Sequence, residues 1–217
     1  MSDVTVTVRG EHEERIPAEQ GVVRVTVHVE GRDRGTVVEQ LAALATPVRA
    51  DLDSRQSAGA LLRWTSSRAN VWTERPWGPD GARLAPVHHA GVEITATFTD
   101  PAALSAWVDD LARRDGTQVD GVSWELGEAT AAAARDRVSA AAVRDAVERA
   151  TAYAAALGLD TVVPIAVADT GLLSPDSAPA APRMLRAMAV GGAESGMDLR
   201  PEDITVSASV EARFLAR

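Results

Sequence analysis

Residues 130–157 limit what this chain can become more than any other stretch: an alanine-rich run with no proline or glycine inside it. Alanine is the best helix former, and the Arg, Glu and Leu among the alanines cost little. Gly158 follows directly, where a left-handed C-terminal cap commonly closes a helix. Val138, Ala142, Ala146, Ala150, Tyr153 and Leu157 recur at three and four residues, so they share one face. Arg137, Arg144, Asp145, Glu148 and Thr151 fall off that stripe. A face of small residues lets a helix lie close to a flat surface. The spacing therefore predicts one long helix laid against a β-sheet.

The rest of the chain supplies that sheet. Val4, Val6 and Val8 alternate with Thr5, Thr7 and Arg9, the period of a half-buried strand. Gly10 to Gln20 is charged and holds Pro17, which reads as a turn or irregular edge. Val23, Val25, Val27 and Val29 alternate again, and the short polar link suggests an antiparallel hairpin of the two strands. Asp33 is a fair N-cap for a helix built on Val37, Leu41, Leu44, Val48 and Leu52. Pro47 inside that pattern predicts a kink or a division, and Gly59 ends it. Leu61 to Arg75 fits one strand or two short ones, and Arg75 to Pro86 reads as a loop.

Val92, Ile94, Ala96 and Phe98 mark a further strand. Asp100 and Pro101 then open a short helix that buries Leu104, Trp107, Val108 and Leu111. Val122, Trp124 and Leu126 mark the strand before the long helix, and Thr161 to Ala168 the strand after it. A loop over about 171–203 precedes a last strand carrying Ile204, Val206, Ala208, Val210 and Phe214. Clean alternation, rather than continuous apolar runs, points to an antiparallel sheet with one covered and one open face. The expected class is α+β: a mostly antiparallel mixed sheet with helices on one face, forming a single domain over 1–217.

The acidic balance, 31 acidic against 22 basic residues and a net charge of -9, argues against nucleic acid and anionic membranes as partners. No cysteine is present, which removes disulfides, thiolate metal sites and cysteine nucleophiles. No apolar run approaches the roughly 20 residues of a membrane span. The N-terminus enters a strand pattern at once without a secretory leader, so the expected location is the cytoplasm.

No constellation of residues announces catalysis, a cofactor or a metal. His88 and His89 are neighbours on a strand and point to opposite faces, and His12 and His28 are not tied together by spacing. Asp109-Asp110 and Glu13-Glu14 are adjacent carboxylates that diverge, read as solvated helix and turn charges. Ser57, Ser66, Ser67 and Ser123 sit in no nucleophile elbow, and Gly191-Gly192 lacks the strand and helix of a phosphate loop. Among the tryptophans, Trp107 and Trp124 fit core positions. Trp77, in a Pro/Gly loop, is a candidate ligand or interface contact. Met184, Leu185 and Met188 form an apolar patch in the long loop, a second candidate contact.

Five stretches stand out in order: VTVTVRGEHEERIPAEQGVVRVTVHVEGRD near the start, GVSWELGE over 121–128, AAVRDAVERATAYAAALGL over 141–159, RMLRAMA over 183–189 and RPEDITVSASVEARF over 200–214. Together they resemble the SIMPL domain family, whose bacterial members are described as YggE-like or periplasmic immunogenic proteins. The resemblance implies an α+β fold, homo-oligomers, and roles in stress response or signalling, with no catalytic residues to transfer. Many bacterial relatives carry an export signal, which this sequence lacks. The leading expectation is a non-enzymatic, self-associating domain. The alternative is a small-molecule binder or enzyme with a pocket near the Trp77 loop and the open sheet face. A protein partner at a sheet edge or the long loop is a third.

Overall fold

The computed structural model describes residues 3–173 and 199–217. Met184, Leu185, Met188 and the Gly191-Gly192 pair lie outside these residues. Ten elements follow one another: β1 (Val4–Ile16), β2 (Gln20–Gly31), α1 (Arg34–Ser57), β3 (Arg63–Glu74) and β4 (Val87–Phe98). Then come α2 (Pro101–Ala112), β5 (Thr117–Glu125), α3 (Glu128–Ala156), β6 (Val162–Asp169) and β7 (Ile204–Ala216). The class is α+β, as expected, but the strands divide between two sheets. One has the order β1-β7-β6 and the other β3-β4-β2-β5, with every pairing antiparallel. The chain forms two compact units, and among the described residues it crosses between them after Pro17, after Glu125 and after Glu202.

The first unit holds β1, α3, β6 and β7. β1 is longer than its alternation announced: Val4 to Ile16 pairs without a break with Ala216 to Ile204. The segment read as a turn is therefore strand as far as Ile16. The hairpin of β1 with β2 does not form, because β1 pairs with β7 from the far end of the chain. The tendency of consecutive strands to pair is outweighed here, and Pro17, which cannot donate to a ladder, marks the departure from the strand. α3 lies across β1 and β7 on Ala134, Val138, Ala142, Ala146, Ala150 and Ala154, all buried. The stripe thus ends on Ala154, while Tyr153 and Leu157 face solvent. The buried column keeps i+4 spacing to its end, where the sequence spacing predicts a shift to i+3. Gly158 takes φ 73° just past the helix, the left-handed cap.

Gly10 shows how close that packing is. A Cβ there would fall on the Ala142 carbonyl oxygen and lie 2.6 Å from the Ala146 nitrogen. Only glycine lets the strand backbone reach the helix backbone at this point. Beside it, the Glu11 N–H donates to Asp145 Oδ2 at 2.9 Å, and Arg137 holds Glu14 with two nitrogens, the shortest contact 2.9 Å. Glu14 is therefore a strand residue in an ion pair with α3, not a turn charge.

The second unit packs α1 and α2 on one face of β3-β4-β2-β5. Val23, Val25 and Val27 of β2 face Ala96, Ile94 and Val92 of β4 across the sheet, and all six are buried. Val37, Leu41, Ala45, Val48 and Leu52 of α1 cover them, with Leu104, Trp107, Val108 and Leu111 of α2. The Trp107 indole N–H finds Asp51 Oδ2 at 2.9 Å, so its burial leaves no donor unmet. Asp33 caps α1 by accepting from the Thr36 N–H at 2.8 Å, and Asp100 caps α2 through the Ala102 N–H at 2.9 Å. The Thr36 backbone bond, then its hydroxyl, hold the Asp33 carboxyl below the ordinary aspartate range. Pro47 does not divide α1, which runs on to Ser57. The proline and Ala43, whose carbonyl it releases, are both on the solvent side, where water replaces the lost bond.

Candidate functional site

The open face of the four-stranded sheet brings rings, carboxylates and hydroxyls of neighbouring strands together. Register puts them there. His28 on β2 stands opposite Gly91 on β4, and Gly91 stands opposite Asn70 on β3. One step along, Glu30, His89 and Trp72 line up across the same three strands. Thr26 and Glu93 form the next pair in the other direction. Alternation sends the flanking Val25, Val27, Ala90 and Val92 to the core.

Gly91 gives the face its shape. Lacking a side chain, it leaves an open floor in the cleft that His28, Asn70 and Trp72 line. The His89 ring stacks on Trp72 with centroids 5.1 Å apart and planes 10° from parallel. His28 lies 5.7 Å from His89 and 6.0 Å from Trp72. The result is an open cleft of about 420 Å³ lined by Thr26, His28, Ser67, Asn70, Trp72 and Glu93 over a floor of Gly91 and Val92. Glu30 Oε2 and Glu74 Oε2 flank the His89 ring at 3.7 and 3.8 Å, within ion-pair reach when the imidazole is protonated. His89 Nε2 is enclosed without a hydrogen-bond partner. On the far side of the strand pair, a bulge at β5 aims Asp120 at Thr26, whose hydroxyl donates to it at 2.7 Å.

The histidines read as neighbours on opposite faces behave so: His88 Nδ1 meets the Thr73 hydroxyl at 2.9 Å, while His89 joins the ring stack. His28 takes its ring partners from Trp72 and His89. No group of three or more His, Asp or Glu side chains is arranged to hold a metal among the described residues. Trp77 is 64% exposed in the loop between β3 and β4. The Arg83 guanidinium lies 4.5 Å from its ring centroid, and the two residues bridge backbone to backbone. Trp77 does not line the cleft; Trp72, 46% exposed, does. Trp107 and Trp124 are in the core, as their spacing indicated. What sequence reasoning missed was the Trp72–His89–His28 cluster. Its one signal was period-two placement of Trp72, His89 and Gly91 on strands whose register sequence does not supply.

A second feature is an edge. Each sheet exposes two outer strands, and three of the four carry charges along their length. β1 bears Glu11, Glu13 and Arg15, and Asp145 takes its Glu11 N–H. β3 and β5 are broken by register shifts and carry Arg63 and Glu74, and Asp120. β6 bears no lysine or arginine, and its only charge is Asp169 at the end. Its Val163, Ile165 and Val167 are 37%, 54% and 50% exposed, and Leu172 just beyond is 72% exposed. Pro164 withholds one donor and Ile165 sits at a register shift, leaving the run to Asp169 as the free ladder.

Two antiparallel sheets, each backed by helices on one face, with an alanine-faced α3 on the smaller, define an α+β protein of double-layered type. The chain belongs to the SIMPL family, described as a protein of unknown function (DUF541), whose family model matches residues 6–214. No curated protein matches the sequence. No helix among the described residues is long and apolar enough to cross a membrane.

Proposed function

We propose that this SIMPL domain is a non-catalytic, self-associating module whose copies join at the β6 edge. The observation that carries the reading is the uncharged run of β6 beyond Pro164 and its register shift: Ile165 and Val167 exposed on an outer strand whose three counterparts carry charges along their length. An exposed apolar edge of this kind is a template for strand addition. A second copy is the occupant that suits it, because the homo-oligomers implied by the family resemblance require a surface that recognises itself. Association has to overcome the repulsion of two chains of charge -9, so it should strengthen as salt screens that charge.

Static light scattering at tens of micromolar tests it. The expected mass is a multiple of the 22.8 kDa chain, falling to one chain in the double variant Ile165→Lys, Val167→Lys. A wild-type mass of 22.8 kDa at every concentration and salt would remove the proposal.

A further inference from the structure

The cleft on the four-stranded sheet is separate from the edge used for self-association, and its chemistry selects a ligand of its own. We propose that it binds a small aryl-alkyl ammonium ion, a planar ring joined by a short apolar chain to a primary amine.

Three residues of β4 set the dimensions. His89, Gly91 and Glu93 point to the same face, and at about 3.4 Å per residue their Cα atoms span about 14 Å. The aromatic end is Trp72 stacked on His89, with His28 beside them. The anionic end is Glu93, whose carboxylate forms no ion pair among the described residues. The middle is bare because Gly91 has no side chain. That bareness is not a backbone requirement: Gly91 has no positive φ, and a Cβ there would meet nothing closer than 3.5 Å. The glycine therefore keeps space rather than conformation. Asn70 and Ser67 stand along the β3 side as neutral hydrogen-bonding groups. A volume of about 420 Å³ lies at the small end of ligand pockets.

The sign of the ligand follows from its surroundings. Glu30, Glu74, Glu93 and Asp120 surround the cleft, while Arg24 and Arg63 stand beyond Glu93 along the same face, opposite Thr95 and Thr97. The chain as a whole is acidic, which raises the local concentration of cations. A half-exposed indole face attracts an ammonium or its ring, whereas an aryl carboxylate would meet like charge.

The test is a titration of the full chain with 2-phenylethylamine and, separately, with 3-phenylpropionate, followed by the indole N–H resonances of the tryptophans. The amine should saturate with a Kd at or below about 1 mM and move the Trp72 signal selectively. The carboxylate should bind at least tenfold more weakly. Glu93→Gln should weaken the amine about tenfold, and Gly91→Leu should abolish binding while leaving the melting temperature in place. No saturation by the amine up to about 10 mM overturns the proposal. So does equal binding of the carboxylate, or undiminished binding in Gly91→Leu.

Discussion

Asp33 shows what one exposed side chain contributes to the start of a long helix. Its carboxylate accepts from the Thr36 N–H and hydroxyl, and those bonds favour the ionised form. The folded pKa is lowered, so the cap stabilises the fold above the ordinary aspartate value of about 3.9. That stability is lost as pH falls through the folded value. Asp33→Ala should therefore melt below wild type at neutral pH, with a gap that closes in acid. The margin of Asp33→Asn over Asp33→Ala, which comes from a cap that does not ionise, should not change with pH. A gap that persists unchanged near about pH 2 would contradict the assigned role. The caps at Asp33 and Asp100 were legible because capping is decided within four residues of chain. The Trp72–His89–His28 cluster was not, since it depends on which strand lies beside which and in what register.

At the level of elements, α1 and α2 were read with their buried residues nearly as found, because period 3.6 stands out clearly over two or more turns. β1 was read short. Its charged half, from Gly10 to Ile16, belongs to an outer strand whose side chains are largely in water, where polarity and strand structure coexist. α3 was located but its stripe misassigned at the C-terminal end, where alanine on one side and Tyr153 on the other offer equal apolar claims. Burial decides between them: Ala154 is enclosed, while Tyr153 is 51% exposed. Ala146→Leu should overpack the contact of α3 with Gly10 and cost about 1–3 kcal/mol. Tyr153→Gln should stay within about 0.5 kcal/mol, as for other surface changes. Chemical denaturation of both variants separates the two faces. Equal losses would mean that α3 turns a different side to β1 and β7.

Across the whole molecule, the class could be read and the partition could not. Alternating strands and amphipathic helices give α+β from local pattern alone. The pairing of Val4 with Ala216 joins the two ends of the sequence, and nothing local to either strand specifies it. Two sheets instead of one also create four edges, and β6 is the one whose only charge is Asp169 at its end. That asymmetry is what the proposed self-association depends on. Hydrogen–deuterium exchange at several protein concentrations examines it edge by edge. The backbone amides of β6 from Ile165 to Asp169 should exchange more slowly as concentration rises, while those of the outer strands β1, β3 and β5 keep constant rates. Exchange at β6 that is independent of concentration, or slowing confined to one of the other three edges, would contradict it.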